Sequence, residues 1–142
     1  MKTVLTGLAT FGACHAARWY LDRGSRKTAE TAGGHIRLTA LWNKGAAFGL
    51  PIRREGLVVL SGAVLGTVWL LRGRAPVGAG LVLGGGTANL AERLHHGKVY
   101  DYVQFPKAPG KLKRYVFNLA DFAILAGGLA LAFGAKKDRG KG

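Results

Sequence analysis

Acidic side chains are scarce in this sequence: seven stand among 142 residues, at Asp22, Glu30, Glu55, Glu92, Asp101, Asp121 and Asp138. Any carboxylate chemistry must draw on those seven. A single cysteine, Cys14, excludes an internal disulfide and a metal site built from cysteine alone. Although glycine occurs 23 times, neither a dinucleotide fingerprint nor a Gly-Lys-Ser/Thr phosphate loop is present, which excludes nucleotide binding through those motifs. The chain is too short for a soluble catalytic domain plus a separate anchor, so one integral membrane domain over 1–142 is expected.

What the chain has in quantity is positive charge and apolar runs. Lys and Arg number 21, giving a formal charge of +14. The positives fall in blocks between apolar stretches: 23–27, 53–54, 72–74, 111–114 and 136–141. That is the layout of loops meeting anionic headgroups, so membrane lipids are the expected surroundings. Nucleic acid is not expected as a partner, because the aromatics sit at the ends of apolar runs and do not interleave with the charges as stacking platforms would.

Four spans are expected, at about 3–21, 56–71, 75–93 and 115–135, forming an up-down bundle with both termini on one side. Loop charges do not decide which side. In the first run Arg18-Trp19-Tyr20 reads as an aromatic pair beside a snorkelling Arg, and the competing reading is a removable signal peptide ending near Ala13-Cys14. The glycines of the third run, Gly84-Gly85-Gly86 among them, suit close helix approach in lipid. Between the spans, Ile36, Leu38 and Ala40 alternate with His35, Arg37 and Thr39, and Val99, Asp101 and Val103 alternate with aromatics, which predicts short strands at the membrane surface.

Asp121 is the anomaly. It lies about two turns inside the last expected span, where a lipid-facing acid at the bilayer centre costs about 2.5–3.5 kcal/mol. Asp101 follows the third span closely, and antiparallel neighbouring spans would bring both carboxylates to one membrane face. Two carboxylates sharing a site about 3 Å apart cannot both ionise, so one keeps its proton while the other deprotonates a water. That pair suits amide hydrolysis. The plain alternative pairs Asp101 with Lys98 or Arg114 and leaves Asp121 in a helix–helix hydrogen bond. Glu92 and His96, an i, i+4 pair, raise a metal reading that lacks a third ligand and any His-Glu-x-x-His pattern, so no metal is expected.

Five segments carry a resemblance. Asp22-Arg-Gly-Ser-Arg26, Asn43-Lys-Gly-Ala-Ala-Phe-Gly49, Gly85-Gly-Thr-Ala-Asn89-Leu-Ala-Glu-Arg93, Gly97-Lys-Val-Tyr-Asp101 and Phe117-Asn-Leu-Ala-Asp121 resemble, in order and approximate spacing, the motifs of lipoprotein signal peptidase (signal peptidase II). The resemblance implies an all-α membrane fold of four transmembrane helices with a small extracytoplasmic β-cradle, and no cofactor or metal. It implies an intramembrane aspartyl endopeptidase that cuts diacylglyceryl-modified prolipoproteins before the lipidated cysteine. Asp101 and Asp121 would be the catalytic pair, with Asn43, Asn89, Arg93, Asn118 and Asp22 supporting the pair and the substrate. The implied place is the bacterial cytoplasmic membrane, with the site toward the extracytoplasmic side and the protein a monomer. Glu92 stands where the family usually has Asp, and Arg26 where it has Lys. A small proton-coupled transporter and a non-catalytic assembly subunit are the alternatives from other classes.

Overall fold

A computed structural model of the chain describes residues 1–23, 29–43 and 52–139. Four long helices carry most of them: α1 (Lys2–Arg23), α2 (Arg54–Leu71), α3 (Pro76–His96) and α4 (Leu119–Arg139). Four short strands form one antiparallel sheet in the order β1-β2-β3-β4: β1 (Ala29–Thr31), β2 (Ile36–Asn43), β3 (Val99–Gln104) and β4 (Val116–Phe117). The expected alternating patches at 35–41 and 99–103 are thus β2 and β3, which pair with Leu41 opposite Asp101. The register shifts between Leu38 and Leu41, and such an irregularity bends the strand locally.

Helix α3 is the centre of the bundle and packs against α1, α2 and α4. Its small residues make this possible. A Cβ on Gly80 or Gly84 would stand 2.6–2.7 Å from Thr6 or Thr10 of α1, one on Gly85 would reach 2.8 Å from the Ala120 carbonyl of α4, and one on Gly86 would meet Leu65 of α2 at 2.7 Å. The backbones approach too closely for larger side chains. Pro76 begins the helix, where its missing N–H costs nothing, and Gly97 ends it with φ at 72°, a left-handed cap that turns the chain into β3.

The adjacent glycines of α4 separate packing from propensity. A Cβ on Gly127 would overlap the Gly78 carbonyl and stand 2.7 Å from Val82, whereas one on Gly128 would meet nothing within 4 Å. Gly127→Ala is expected to destabilise the bundle by about 1–3 kcal/mol through overpacking. Gly128→Ala is expected to be neutral or to stabilise by up to about 1 kcal/mol through helix propensity. Thermal unfolding of the two variants in detergent checks the contrast.

Little apolar side chain is hidden. Among the described residues two small clusters, Cys14-Ala88-Ala120 and Val68-Ala79-Val82, are buried between the helices, Leu57, Val99, Tyr100 and Tyr102 are buried besides, and large apolar groups such as Leu8, Val59, Leu70, Leu125 and Phe133 face outward. Helix α2 is long and apolar enough to cross a membrane, and only 11% of that stretch is buried, so it is no core helix of a water-soluble body.

The start of α4 corrects the sequence expectation about Asp121. The helix begins at Leu119, after β4 and a 3-10 turn at Gly110–Arg114, which puts Asp121 in the first turn and not two turns inside. An apolar run starting at Tyr115 hides this boundary, because Val116 and Phe117 pair with Gln104 and Val103 as a strand edge before the helix begins.

Candidate active site

The site is built around Asn118. Its side-chain oxygen accepts the Asp121 N–H (3.0 Å), and the Asp121 carboxylate in turn accepts the Asn118 N–H (2.9 Å). This is a reciprocal capping box written as Asn-x-x-Asp, and it uses first-turn donors that helix α4 leaves unpaired. The segment Phe117 to Asp121 is therefore a helix start, and the same geometry aims one oxygen of Asp121 sideways toward α3.

There Asn89 waits. Its side-chain amide donates to Asp121 Oδ1 at 3.3 Å, while its oxygen accepts from the Asn118 amide at 2.9 Å. The Asn118 amide also donates to Asp101 Oδ1 at 3.1 Å and, more weakly, to the Tyr100 carbonyl at 3.5 Å. One residue thus touches both carboxylates. Asp101 is 4% exposed and Asn118 5%, and buried polar groups of this kind are stable only as a connected network. The donors are neutral amides, which leave any proton shared between the carboxylates in place.

Asp101 is fixed through its neighbours on β3. The Tyr100 N–H donates to Glu92 Oε2 of α3 at 2.9 Å, and the Leu119 N–H of α4 donates to the Tyr102 hydroxyl at 2.9 Å. Burial pushes the Tyr102 phenol up to about 12, against the lowering effect of that N–H. Glu92 also faces Arg18 of α1, with Nε 3.3 Å from Oε1. Arg18 does not snorkel away from the fold as expected from the sequence. It turns in toward Glu92, places a guanidinium nitrogen 3.3 Å from His96 Nε2, and lies 5.5 Å from the Trp42 ring centre. Trp19 and Tyr20 beside it are exposed, as interfacial aromatics should be.

A groove of about 700 Å³ leads to Asp121. Leu57, Leu60 and Val64 of α2 wall one side and Phe122, Ile124 and Leu125 of α4 the other, with Phe105, Leu112 and Phe117 at the sheet end. Almost all of that lining is apolar. Apart from Ser61 of α2, the polar residues lining it are Asn89, Arg93 and Asp121. An apolar trough of ligand size with a few convergent polar groups is the usual form of a binding site.

Comparison with known proteins places this arrangement. The family model for signal peptidase (SPase) II matches residues 9–135. The chain belongs to the signal peptidase II family. It is similar to a lipoprotein signal peptidase of Pelotomaculum thermopropionicum, 40% identical over 113 residues that cover 73% of this chain and 70% of the relative. A lipoprotein signal peptidase of Methylobacterium sp. (strain 4-46) is 33% identical over 149 residues, covering 89% and 86%. In fold the chain is similar to a bacterial membrane enzyme solved by the in meso method, with a TM-score of 0.82 at 16% identity over 96% of this chain and 88% of the other.

Membership in signal peptidase II sets aside the transporter and assembly-subunit alternatives. Of the residues carried by the resemblance, Asp101, Asn118, Asn89 and Asp121 form one hydrogen-bonded group, and Arg93 lies beside it on the groove. Asn43 ends β2 opposite Val99, and Asp22 lies on the last turn of α1; their side chains lie outside the described residues, as do Arg26, Lys27 and residues 44–49. Glu92, the departure from the signal peptidase II pattern, is occupied by Arg18 and Tyr100. Sequence reasoning missed Tyr102 and the inward role of Arg18, since an aromatic in a strand and an Arg at a helix end look the same whether they face lipid or a partner.

Proposed function

We propose that this chain is an intramembrane aspartyl endopeptidase with four transmembrane helices, folded as one domain and acting as a monomer among membrane lipids. It removes signal peptides from diacylglyceryl-modified prolipoproteins, cutting before the lipidated cysteine, in the bacterial cytoplasmic membrane with the site toward the extracytoplasmic side. Asp101 and Asp121 are the catalytic pair. The observation that carries this reading is a single residue, Asn118, hydrogen-bonded to both carboxylates beside the head of an apolar groove.

In this reading the two acids share one proton. The ionised carboxylate takes a proton from a water, whose oxygen attacks the carbonyl carbon of the scissile amide, and the protonated carboxyl donates to the carbonyl oxygen as charge develops there. Collapse of the tetrahedral intermediate breaks the C–N bond, the departing nitrogen takes up the proton gained from water, and a hydroxyl of the intermediate returns its proton to the other carboxylate, which restores the pair. Asn118 and Asn89 hold the two acids in place by neutral donation. Arg93 borders the groove where a carbonyl or ester oxygen of the substrate would enter. Asn43 and Asp22 take supporting roles on the strength of their motif positions. The apolar walls suit the acyl chains and signal helix of a lipidated precursor, since burial of each CH₂ contributes about 0.8 kcal/mol.

Incubating the purified protein in detergent with a diacylglyceryl-modified prolipoprotein tests the reading. A product beginning at the lipidated cysteine is expected, and none from a precursor whose cysteine is replaced by serine. Equal cleavage of both precursors, or of neither, overturns the reading.

A further inference from the structure

Asp101 and Asp121 belong to different elements, one in β3 and the other in the first turn of α4. A pair that shares a proton works over a narrow range of separation, with about 0.5 Å of tolerance for supporting residues. Something must therefore fix the strand against the helix. The Asn118 amide spans the two, but its two hydrogens are divided among Asn89, Asp101 and the Tyr100 carbonyl. Strand β4 contributes only two pairs with β3, at Val103 with Phe117 and Gln104 with Val116. A third tie stands nearer to the chemistry than those strand pairs.

That tie is the Tyr102 hydroxyl, which accepts the Leu119 N–H at 2.9 Å. Tyr102 follows Asp101 directly in the strand, and Leu119 is the first residue of α4, two before Asp121. The first N–H groups of a helix lack acceptors within it. In α4 the Asp121 N–H is taken by Asn118 and the Leu119 N–H by Tyr102, so each side of the contact answers a need of the other. Tyr102 is 5% exposed, and its ring centre is 5.9 Å from that of Tyr100, so packing holds the phenol in this direction. With its proton retained to about 12, the hydroxyl stays neutral at working pH and adds no charge beside the carboxylates.

We infer that Tyr102 is a positioning residue for the catalytic pair, its hydroxyl strapping the strand that carries Asp101 to the helix turn that carries Asp121. The inference rests on the protease reading of the site. Tyr102 is not among the residues that line the groove at Asp121, and its hydroxyl is engaged by the Leu119 N–H. Its effect runs through the Leu119 N–H, and that makes it separable from packing. Tyr102→Phe keeps the ring and removes the acceptor. Leu119→Pro keeps the helix start, where proline is favoured, and removes the donor.

Both single variants and the double variant are assayed with the lipidated precursor, reading kcat, KM and thermal midpoint. Each single change is expected to lower kcat about tenfold with KM within about twofold, since sub-ångström misplacement slows chemistry more than it weakens binding. The double variant is expected to be no slower than the worse single one, because both remove the same contact. Unchanged kcat in Tyr102→Phe overturns the inference even where the thermal midpoint falls, since the hydroxyl would then serve stability alone. Multiplied losses in the double variant overturn it too. If Leu119→Pro does not fold, the kcat and KM of Tyr102→Phe decide. A wild-type protein that fails to cleave removes the protease reading and this inference together, while a cleaving wild type with unaffected Tyr102→Phe removes this inference alone.

Discussion

Asp101→Asn and Asp121→Asn are each expected to lower prolipoprotein cleavage by about 10³-fold or more, the scale at which a general acid or base acts, and Asp121→Asn to cost stability as well. Asp101 Oδ1 accepts from the Asn118 amide, and an asparagine at 101 keeps an oxygen for that bond. That one bond survives the change. Asp121 accepts on both oxygens, from the Asn118 N–H on one and the Asn89 amide on the other. An asparagine there retains one acceptor and turns an NH₂ group toward the second donor. Either the Asn89 contact or the cap must be lost. Turning Asn89 over restores one contact at the expense of its bond with Asn118. The variant is expected to lose about 0.5–2 kcal/mol, the scale of a lost helix cap. Cleavage assays paired with thermal unfolding test both halves, and an active Asp101→Asn protein would remove the catalytic pair.

This double duty explains how much of the site could be read from residues alone. Apolar runs, glycine spacing and period-two alternation mark α1 to α4, β2 and β3 because each is a local consequence of side-chain pattern. The depth of Asp121 is not local. Tyr115 to Phe117 are as apolar as a membrane helix, and pairing of Val116 and Phe117 with β3 takes them out of it. Only the cap chemistry of Asn118 signals the boundary. Arg18 was legible as a cation at a helix end, but its partner Glu92 lies 74 positions further along the sequence, and no spacing rule joins such a pair. Tyr102 has the same difficulty. Its strand position follows from the sequence, whereas the donor it meets exists only because α4 begins at Leu119.

Asn118→Asp separates the two tasks of the residue that bridges the pair. Asparagine and aspartate cap helices about equally well, so the side-chain oxygen that receives the Asp121 N–H survives the change. The backbone N–H that binds Asp121 is untouched. What disappears is the amide that donates to Asp101 and Asn89, and in its place stands a third carboxylate at hydrogen-bond distance from Asp101. Like charges that close cannot all ionise, so the new group competes for the proton that the pair shares. Cleavage at saturating precursor is expected to fall about 10²- to 10³-fold with helix α4 still formed. Asn118→Ala loses the cap as well, and is expected to unfold more easily than a simple loss of activity requires, by about 1 kcal/mol. Cleavage by Asn118→Asp within a few-fold of wild type would show that the amide does not serve the pair. Equal stability of the aspartate and alanine variants would show that the cap is not what holds Asp121 in the first turn.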